Sequence, residues 1–440
     1  MMKIIVVGAV AGGATVASQI RRLSDAEITI YEKDRDMSFA NCGLPYYIGG
    51  EVSPRNRLIA ATPETFEQDK DVTVKTYHEV IAINAEQKEI TVKDIKNNKT
   101  FIDTFDYLIL SPGAKQITLP TLNANHVFTL RNLEDTDRIA NFIETEGVKD
   151  VLVIGAGYIS LEIVENLKFR GLNVTMLHRS AHILKSVDQD MTSQIPTILE
   201  DNDVRLLLND EVKSLEGKTV LLKSGRKFDF DMIISALGIQ PNTEFIQSSG
   251  VHLTDNGHIK VNNYFETNYP YIYALGDAIE TKYRHVELPA QIALAWGAHR
   301  AASIIAQNIV TPQSVQFKGL IGTNIIRVFN YTFASVGITP NLLEHFDYEI
   351  VSQTQKQHAG YMANAHPLSI TIYFDKKTRK ILRASGYGQS GVDKRIDIIA
   401  TAIIGNMSID DLKEIEVAYS PVYSSPKDII NMLGYKAEQK

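Results

Sequence analysis

The sequence predicts an α/β protein made of two Rossmann-like units followed by a C-terminal α+β domain. Three observations predict it. A β-branched strand near the N-terminus runs into a glycine-rich turn and then a helical pattern; the same plan returns around residue 155; and a strand-rich stretch at 325–386 is followed by helical spacing at 391–416.

The first unit opens with the strand "KIIVV" at 3–7, the turn Gly8-Ala9-Val10-Ala11-Gly12-Gly13 and the helical "ATVASQIRRL". Gly8 and Gly13 match the outer glycines of G-x-G-x-x-G, while Val10 takes the middle place. Such a turn lets backbone approach a pyrophosphate, and the helix N-terminus offers N–H donors and partial positive charge. The next strand, "EITIYEKD", ends in Glu32, about 20 residues on, where an acidic side chain receives ribose hydroxyls. That pairing also decides how the first residues are read. "MMKIIVVGAVAGGATVAS" has the basic start, apolar run and small residues of a secretory leader, but a leader has no use for Glu32.

The second unit repeats the order: strand "DVLVIG", loop Gly155-Ala156-Gly157-Tyr158-Ile159-Ser160, helix "LEIVENLKFRG". Its following strand, "NVTML", ends in His178-Arg179 instead of a carboxylate, which favours a 2′-phosphate and therefore NADPH over NADH. Each unit closes with a similar strand, "FDYLILSPGA" at 105–114 and "FDMIISALGIQPN" at 230–242, so two dinucleotides in one chain are expected. A third block, "NYPYIYALGDAIE", puts Gly276-Asp277 after a strand and precedes a small-residue helix around "LAWGAHRAA".

With 440 residues, 44% hydrophobic and 22% charged, the chain has the size and composition of two or three globular domains. A net charge of −7 argues against a nucleic-acid partner, which needs a basic face. No membrane span is expected, since no other apolar run reaches about 18 residues. Cys42 is the sole cysteine, so no disulfide framework exists and the cytoplasm is the expected location.

The ordered set of the first glycine loop with Glu32, "SFANC", the second GxGxxS loop and "YALGD" resembles the FAD-dependent pyridine nucleotide–disulfide oxidoreductases over essentially the whole chain. The resemblance implies an FAD-binding domain of 1–114 plus 245–312, an inserted NADPH-binding domain of 115–244 and a dimerisation domain of 316–440. "NIVTPQSVQFKG", which interrupts the helical pattern, agrees with the last boundary. FAD would be held by Gly8, Ala9, Gly12, Gly13, Glu32 and Lys33, by Gly113, and by Gly276, Asp277 and Ala295. In this scheme Asp277 accepts a hydrogen bond from the flavin side chain, and the helix near Ala295–His299 approaches the isoalloxazine. NADPH would lie on Gly155, Gly157, Tyr158, Ser160, His178, Arg179 and Gly238.

Most disulfide reductases of this superfamily carry two cysteines, which this chain cannot. A helix beginning near Pro45 is expected to lower the Cys42 pKa through its dipole. Three fates remain for the thiol: a mixed disulfide with a small thiol, a sulfenic acid, or no redox role. The sulfenic-acid relatives, NADH peroxidases and water-forming NADH oxidases, carry a histidine in the first glycine loop, where this chain has Ala11. The remaining motifs, "GAVAGGAT", "SFANCGLPY", "VIGAGYIS", "LHRS", "LAWGAHRAA" and "VAYSPVYSSPKD", are similar to those of the bacterial coenzyme A disulfide reductases.

That likeness implies an FAD homodimer that reduces CoA disulfide with NADPH, carries one CoA on Cys42 as a mixed disulfide and maintains intracellular thiol balance. Its ligand contacts fall on Thr15, Gln19 and Arg22, on Ser38 and Asn41, and on Lys70, His299 and Lys427. It also implies that Tyr361 in "HAGYMAN" and Tyr419 in "VAYSP" of one subunit reach the thiol of the other. The rival readings are a CoA persulfide or polysulfide reductase, an NAD(P)H peroxidase or oxidase, and a flavoprotein sensor that signals through oxidised Cys42. Many persulfide-reducing relatives append a rhodanese domain, for which 440 residues leave no room.

Overall fold

Strand Lys3–Val7 is apolar and buried from Ile4 to Val7, as a central parallel strand covered on both faces must be. It pairs in parallel with Glu27–Tyr31 on one side and Tyr107–Leu110 on the other. Thr73–Lys75 and Ile272–Ala274 complete the five-stranded sheet, so residues after 245 return to the first unit. The computed structural model describes residues 1–440.

The second unit repeats this parallel sheet with strands Val204–Leu208, Asn173–His178, Asp150–Ile154, Met232–Ser235 and Val127–Phe128 in that order. Both units insert a three-stranded antiparallel sheet before their terminal strand, spanning 78–104 in the first and 212–229 in the second. Ala114–Gln116 and Ile239–Pro241 pair antiparallel where the chain passes between the units.

The third region is a five-stranded antiparallel sheet of Asn324–Val328, Tyr331–Gly337, Ile381–Gly388, Pro367–Asp375 and Tyr348–Lys356, packed by helices Val392–Ile404 and Ile429–Ala437. It is therefore the α+β domain expected. Buried Arg383 ties it to the second unit, donating to Asp188 at 3.0 Å and to the Ser186 carbonyl at 2.7 Å. No helix is long and apolar enough to cross a membrane.

The cores show where a site can form. Phe39, Leu44, Ile48 and Leu58, around the cysteine, belong to the hydrophobic core of the second unit together with Ile326, Val328 and Phe333 of the third. Cys42 thus stands beside a core shared by the second and third units, on a segment bonded to the first glycine loop at the carboxyl end of the first sheet, where parallel sheets open their crevices.

Candidate active site

The first glycine loop is shaped by close approach. Gly8 has φ +92°, and a Cβ on Gly13 would lie 1.8 Å from the Gly8 carbonyl oxygen, so helix Ala11–Leu23 fits against the loop only with glycine there. A Cβ on Gly12 would meet Ser111 Oγ at 2.7 Å. No side chain caps this helix, and no acid stands in its first turn, which leaves its N–H donors for an anion. Buried Glu32 accepts from the Ala9 N–H at 2.7 Å and the Asp34 N–H at 3.0 Å, and burial pushes its carboxyl up to about 7. Its remaining lone pairs suit ribose hydroxyls, while exposed Lys33 stands beside it. These features fit a bound dinucleotide.

The cysteine segment is stitched to that loop. The Ser38 N–H donates to the Ala9 carbonyl at 2.9 Å, and the Ala40 N–H to the Leu58 carbonyl at 2.8 Å. Cys42 is exposed in the short turn Asn41–Gly43, ahead of the six-residue helix Leu44–Gly49 with Pro45 in its first turn. Asn41 Oδ1 beside it is buried with no hydrogen-bond partner, which suits a donor brought by a ligand.

The expected dipole-lowered thiol is corrected here. Desolvation by the crowded walls, then the carboxylates of Glu162 and Asp277, push the Cys42 thiol up.

Glu162 was not singled out by the sequence, yet it lies on helix Tyr158–Phe169, which packs along the Leu44–Gly49 helix. Burial, then its neighbour Glu165, push Glu162 up to about 7. Glu165 itself is satisfied by the Arg327 Nε–H and the Phe329 N–H, both at 2.6 Å.

Of the predicted ligand contacts, the structure brings Thr15 and His299 together, Oγ1 to Nδ1 at 3.0 Å, across helices Ala11–Leu23 and Ala295–Val310. Thr15, Gln19 and Arg22 follow helical spacing on one face. Arg21 donates to the Lys70 carbonyl at 3.1 Å, which sets Lys70 beside the end of that helix. Neither Arg22 nor Lys70 has an ion-pair partner in the chain, so both charges are free for an anion. Ala295 and Trp296 are exposed at the start of their helix, which also lacks a side-chain cap.

In the second loop, Gly155 has φ +126° and a Cβ there would meet the Ala236 carbonyl oxygen at 2.3 Å. Helix formation begins at Tyr158, three residues earlier than the apolar pattern suggested, with Gly157 as an N-cap that offers no side chain. Buried Ser160, in place of the third glycine, reaches the Ala236 carbonyl at 3.4 Å. The Tyr158 hydroxyl binds Ser186 and Asn324, and burial holds it up at about 12, so that group acts as a structural tie. Burial, then the charges of Lys185 and Arg179, push His178 down and keep it neutral, while Arg179 is exposed. Lys185 is a second cation that spacing did not indicate. Gly238, φ +119°, follows the terminal strand.

Asp277, in the turn Gly276–Ala278, accepts from Arg131 Nη2 at 2.7 Å. Arg131 also lies 3.4 Å from where a Cβ on Gly113 would be, and its neighbours continue the seam: Asn132 bonds Asp34, and Asp137 pairs with Arg35 and Arg55. No glycine motif marks Arg131, so the sequence reading missed it.

Tyr361 and Tyr419 are neighbours on the third domain, where Tyr361 pushes the Tyr419 hydroxyl up. They are 76% and 50% exposed, beside exposed Val422 and Tyr423. Lys427 is on the same domain, its Nζ 5.7 Å from the Tyr435 ring centre. No hydrogen bond within the chain links these three to the Cys42 segment.

A profile of the pyridine nucleotide-disulphide oxidoreductases matches residues 2–302. Coenzyme A disulfide reductase of Staphylococcus epidermidis is 53% identical over 439 residues, covering 100% of both chains. Reduced CoADR-RHD of Bacillus anthracis superposes with a TM-score of 0.96 at 42% identity, over 99% of this chain and 80% of that one. An NAD-dependent persulfide reductase of A. fulgidus superposes with a TM-score of 0.95 at 29% identity, over 100% and 83%. The chain belongs to the pyridine nucleotide-disulfide oxidoreductases, the family of the coenzyme A disulfide reductases.

Proposed function

We propose that the protein is a cytoplasmic homodimer that reduces CoA disulfide to two CoA thiols with NADPH, through a mixed disulfide on Cys42, and so maintains intracellular thiol balance. The observation that carries this reading is the lone exposed thiol of Cys42, on a segment bonded to the first glycine loop, in a chain 53% identical to a CoA disulfide reductase.

On this reading 1–114 with 245–312 bind FAD, 115–244 bind NADPH and 316–440 form the dimer. Gly8, Gly12, Gly13 and Glu32 of the first loop, with Asp277 and Arg131, would hold FAD. When bound, FAD supplies the relay that carries two electrons from the nicotinamide to sulfur. Arg179 and Lys185 take the 2′-phosphate of NADPH beside a neutral His178.

Cys42 thiolate attacks one sulfur of CoA disulfide, forming Cys42–S–S–CoA and expelling one CoA thiolate, which takes a proton. Two electrons then break that mixed disulfide, releasing the second CoA thiolate and restoring the Cys42 thiolate. Thr15, Gln19, Arg22, Lys70 and His299 orient the CoA, and Ser38 and Asn41 line the sulfur. Tyr361 and Tyr419 of the other subunit donate a proton or hydrogen bond to the departing thiolate, with Lys427 nearby for a phosphate.

Persulfide reduction is the second reading, favoured by the fold shared with the A. fulgidus enzyme, though at 29% identity. Turnover of the holoenzyme with CoA disulfide, polysulfide and peroxide ranks these chemistries; CoA disulfide reduction by Cys42→Ser at the native rate would reject the thiol mechanism.

A further inference from the structure

Arg395, on helix Val392–Ile404, lies beneath the two loops that carry Tyr361 and Tyr419. Its side chain and that of Asp428 are each 1% exposed, joined by Nη2–Oδ2 at 2.6 Å and Nε–Oδ1 at 3.2 Å. The same guanidinium donates to the Gln357 carbonyl at 2.9 Å, where strand Tyr348–Lys356 gives way to the first loop. Gln357 Nε2 then donates to the Asn364 carbonyl at 2.9 Å, closing that loop around Tyr361. Asp428 ends the second loop and caps helix Ile429–Ala437, accepting from the Ile430 N–H at 3.2 Å. The loops are also bonded directly, Ala359 N–H to the Pro421 carbonyl at 3.1 Å.

One buried side chain therefore bonds the base of both loops. The backbone gives way to it: Gly391 has φ +75°, and a Cβ there would meet Arg395 Nη1 at 2.3 Å. The two tyrosines are exposed, so packing alone does little to fix them, and a single surface hydrogen bond does not offset the entropy of ordering two loops. A bidentate buried pair does fix one geometry, because any displacement strands a charge.

We propose that Arg395, with Asp428, is a positioning residue for thiol–disulfide exchange, holding loops 357–364 and 418–428 in register so that Tyr361 and Tyr419 act on the sulfur as a pair. This rests on the reading that those tyrosines serve the neighbouring subunit's thiol. Lysine at 395 would keep the charge but lose the fork that spans Asp428 and Gln357.

The test is a mutant cycle on the holoenzyme dimer, with Arg395→Lys made in the native background and in Tyr361→Phe/Tyr419→Phe. The expected result is a fall in kcat for CoA disulfide of about 10-fold in the native background and less than about 2-fold in the Phe background. Flavin reduction by NADPH and dimer mass stay unchanged. Equal losses in both backgrounds, no loss, or a loss that follows dimer dissociation would overturn the proposal. If the Phe pair is itself fully active, the tyrosine reading fails first and this inference with it; if the Phe pair is impaired and Arg395→Lys is not, this inference fails alone. Asp428→Asn, which retains a helix cap, undergoes the same cycle under the same criteria should Arg395→Lys not fold.

Discussion

Thr15 Oγ1 and His299 Nδ1 lie 3.0 Å apart although 284 positions separate them in the chain. The bond joins the helix of the first glycine loop, Ala11–Leu23, to helix Ala295–Val310, and it fixes the orientation of the imidazole. His299→Ala is expected to raise KM for CoA disulfide by about 10-fold, the worth of one hydrogen bond to a charged ligand. Flavin reduction by NADPH remains at the native rate, measured by stopped-flow absorbance. A variant with unchanged KM would remove His299 from the substrate site.

After burial, Glu162 is the next cause that pushes the Cys42 thiol up. Its carboxylate is among the causes that push the thiol up, and its own raised value of about 7 means that this repulsion grows as pH rises through neutrality. Glu162→Gln is expected to speed alkylation of Cys42 at pH 7 by roughly 3- to 10-fold, because removing a like charge favours the thiolate. The rate profile of the variant loses its inflection near pH 7. Identical profiles for both proteins would show that Glu162 does not act on the thiol.

On the proposed reading, Arg179 selects NADPH over NADH. Its exposed guanidinium stands at the end of strand Asn173–His178, with Lys185 close enough to act on His178. Arg179→Ala is expected to lower kcat/KM for NADPH by roughly 10- to 100-fold, the value of charge-assisted hydrogen bonds to one phosphate. Its kcat/KM for NADH stays within about 2-fold of native, since NADH lacks that phosphate. Equal losses with both would contradict the assignment.

If Glu32 receives the FAD ribose as proposed, FAD binding is expected to depend on pH. The value of Glu32 in the folded apoprotein, about 7, lies above that of an unfolded glutamate, so the stability it contributes is fully present at acid pH and is lost as pH rises through 7. Ribose hydroxyls donate to the carboxylate form and favour deprotonation. FAD uptake at pH 6 is therefore expected to release up to about one proton, and FAD binding to weaken by up to about 10-fold for each pH unit below 7. Calorimetry in buffers of different ionisation heat reads this directly, and Glu32→Gln should abolish it.

Local sequence carried the two glycine turns, because their chemistry repeats within a few residues: Gly8 to Gly13 with Glu32, and Gly155 to Ser160 with Arg179. It also marked Cys42, the only thiol available. It did not mark Arg131, which acts on Asp277 across a domain seam, or Glu162, which meets the cysteine segment only once helices Leu44–Gly49 and Tyr158–Phe169 pack. The same long-range packing explains why the thiol was expected to be lowered and is raised. A dipole is legible in a strand–turn–helix pattern, whereas carboxylates from residues 162 and 277 are not.

The most direct test of the central claim is mass spectrometry of the holoenzyme. The expected result is a CoA adduct on the Cys42 peptide, removed by dithiothreitol or NADPH and restored by one equivalent of CoA disulfide. A Cys42 that turns over CoA disulfide while carrying no adduct, or only sulfenic acid, would contradict the mixed-disulfide account.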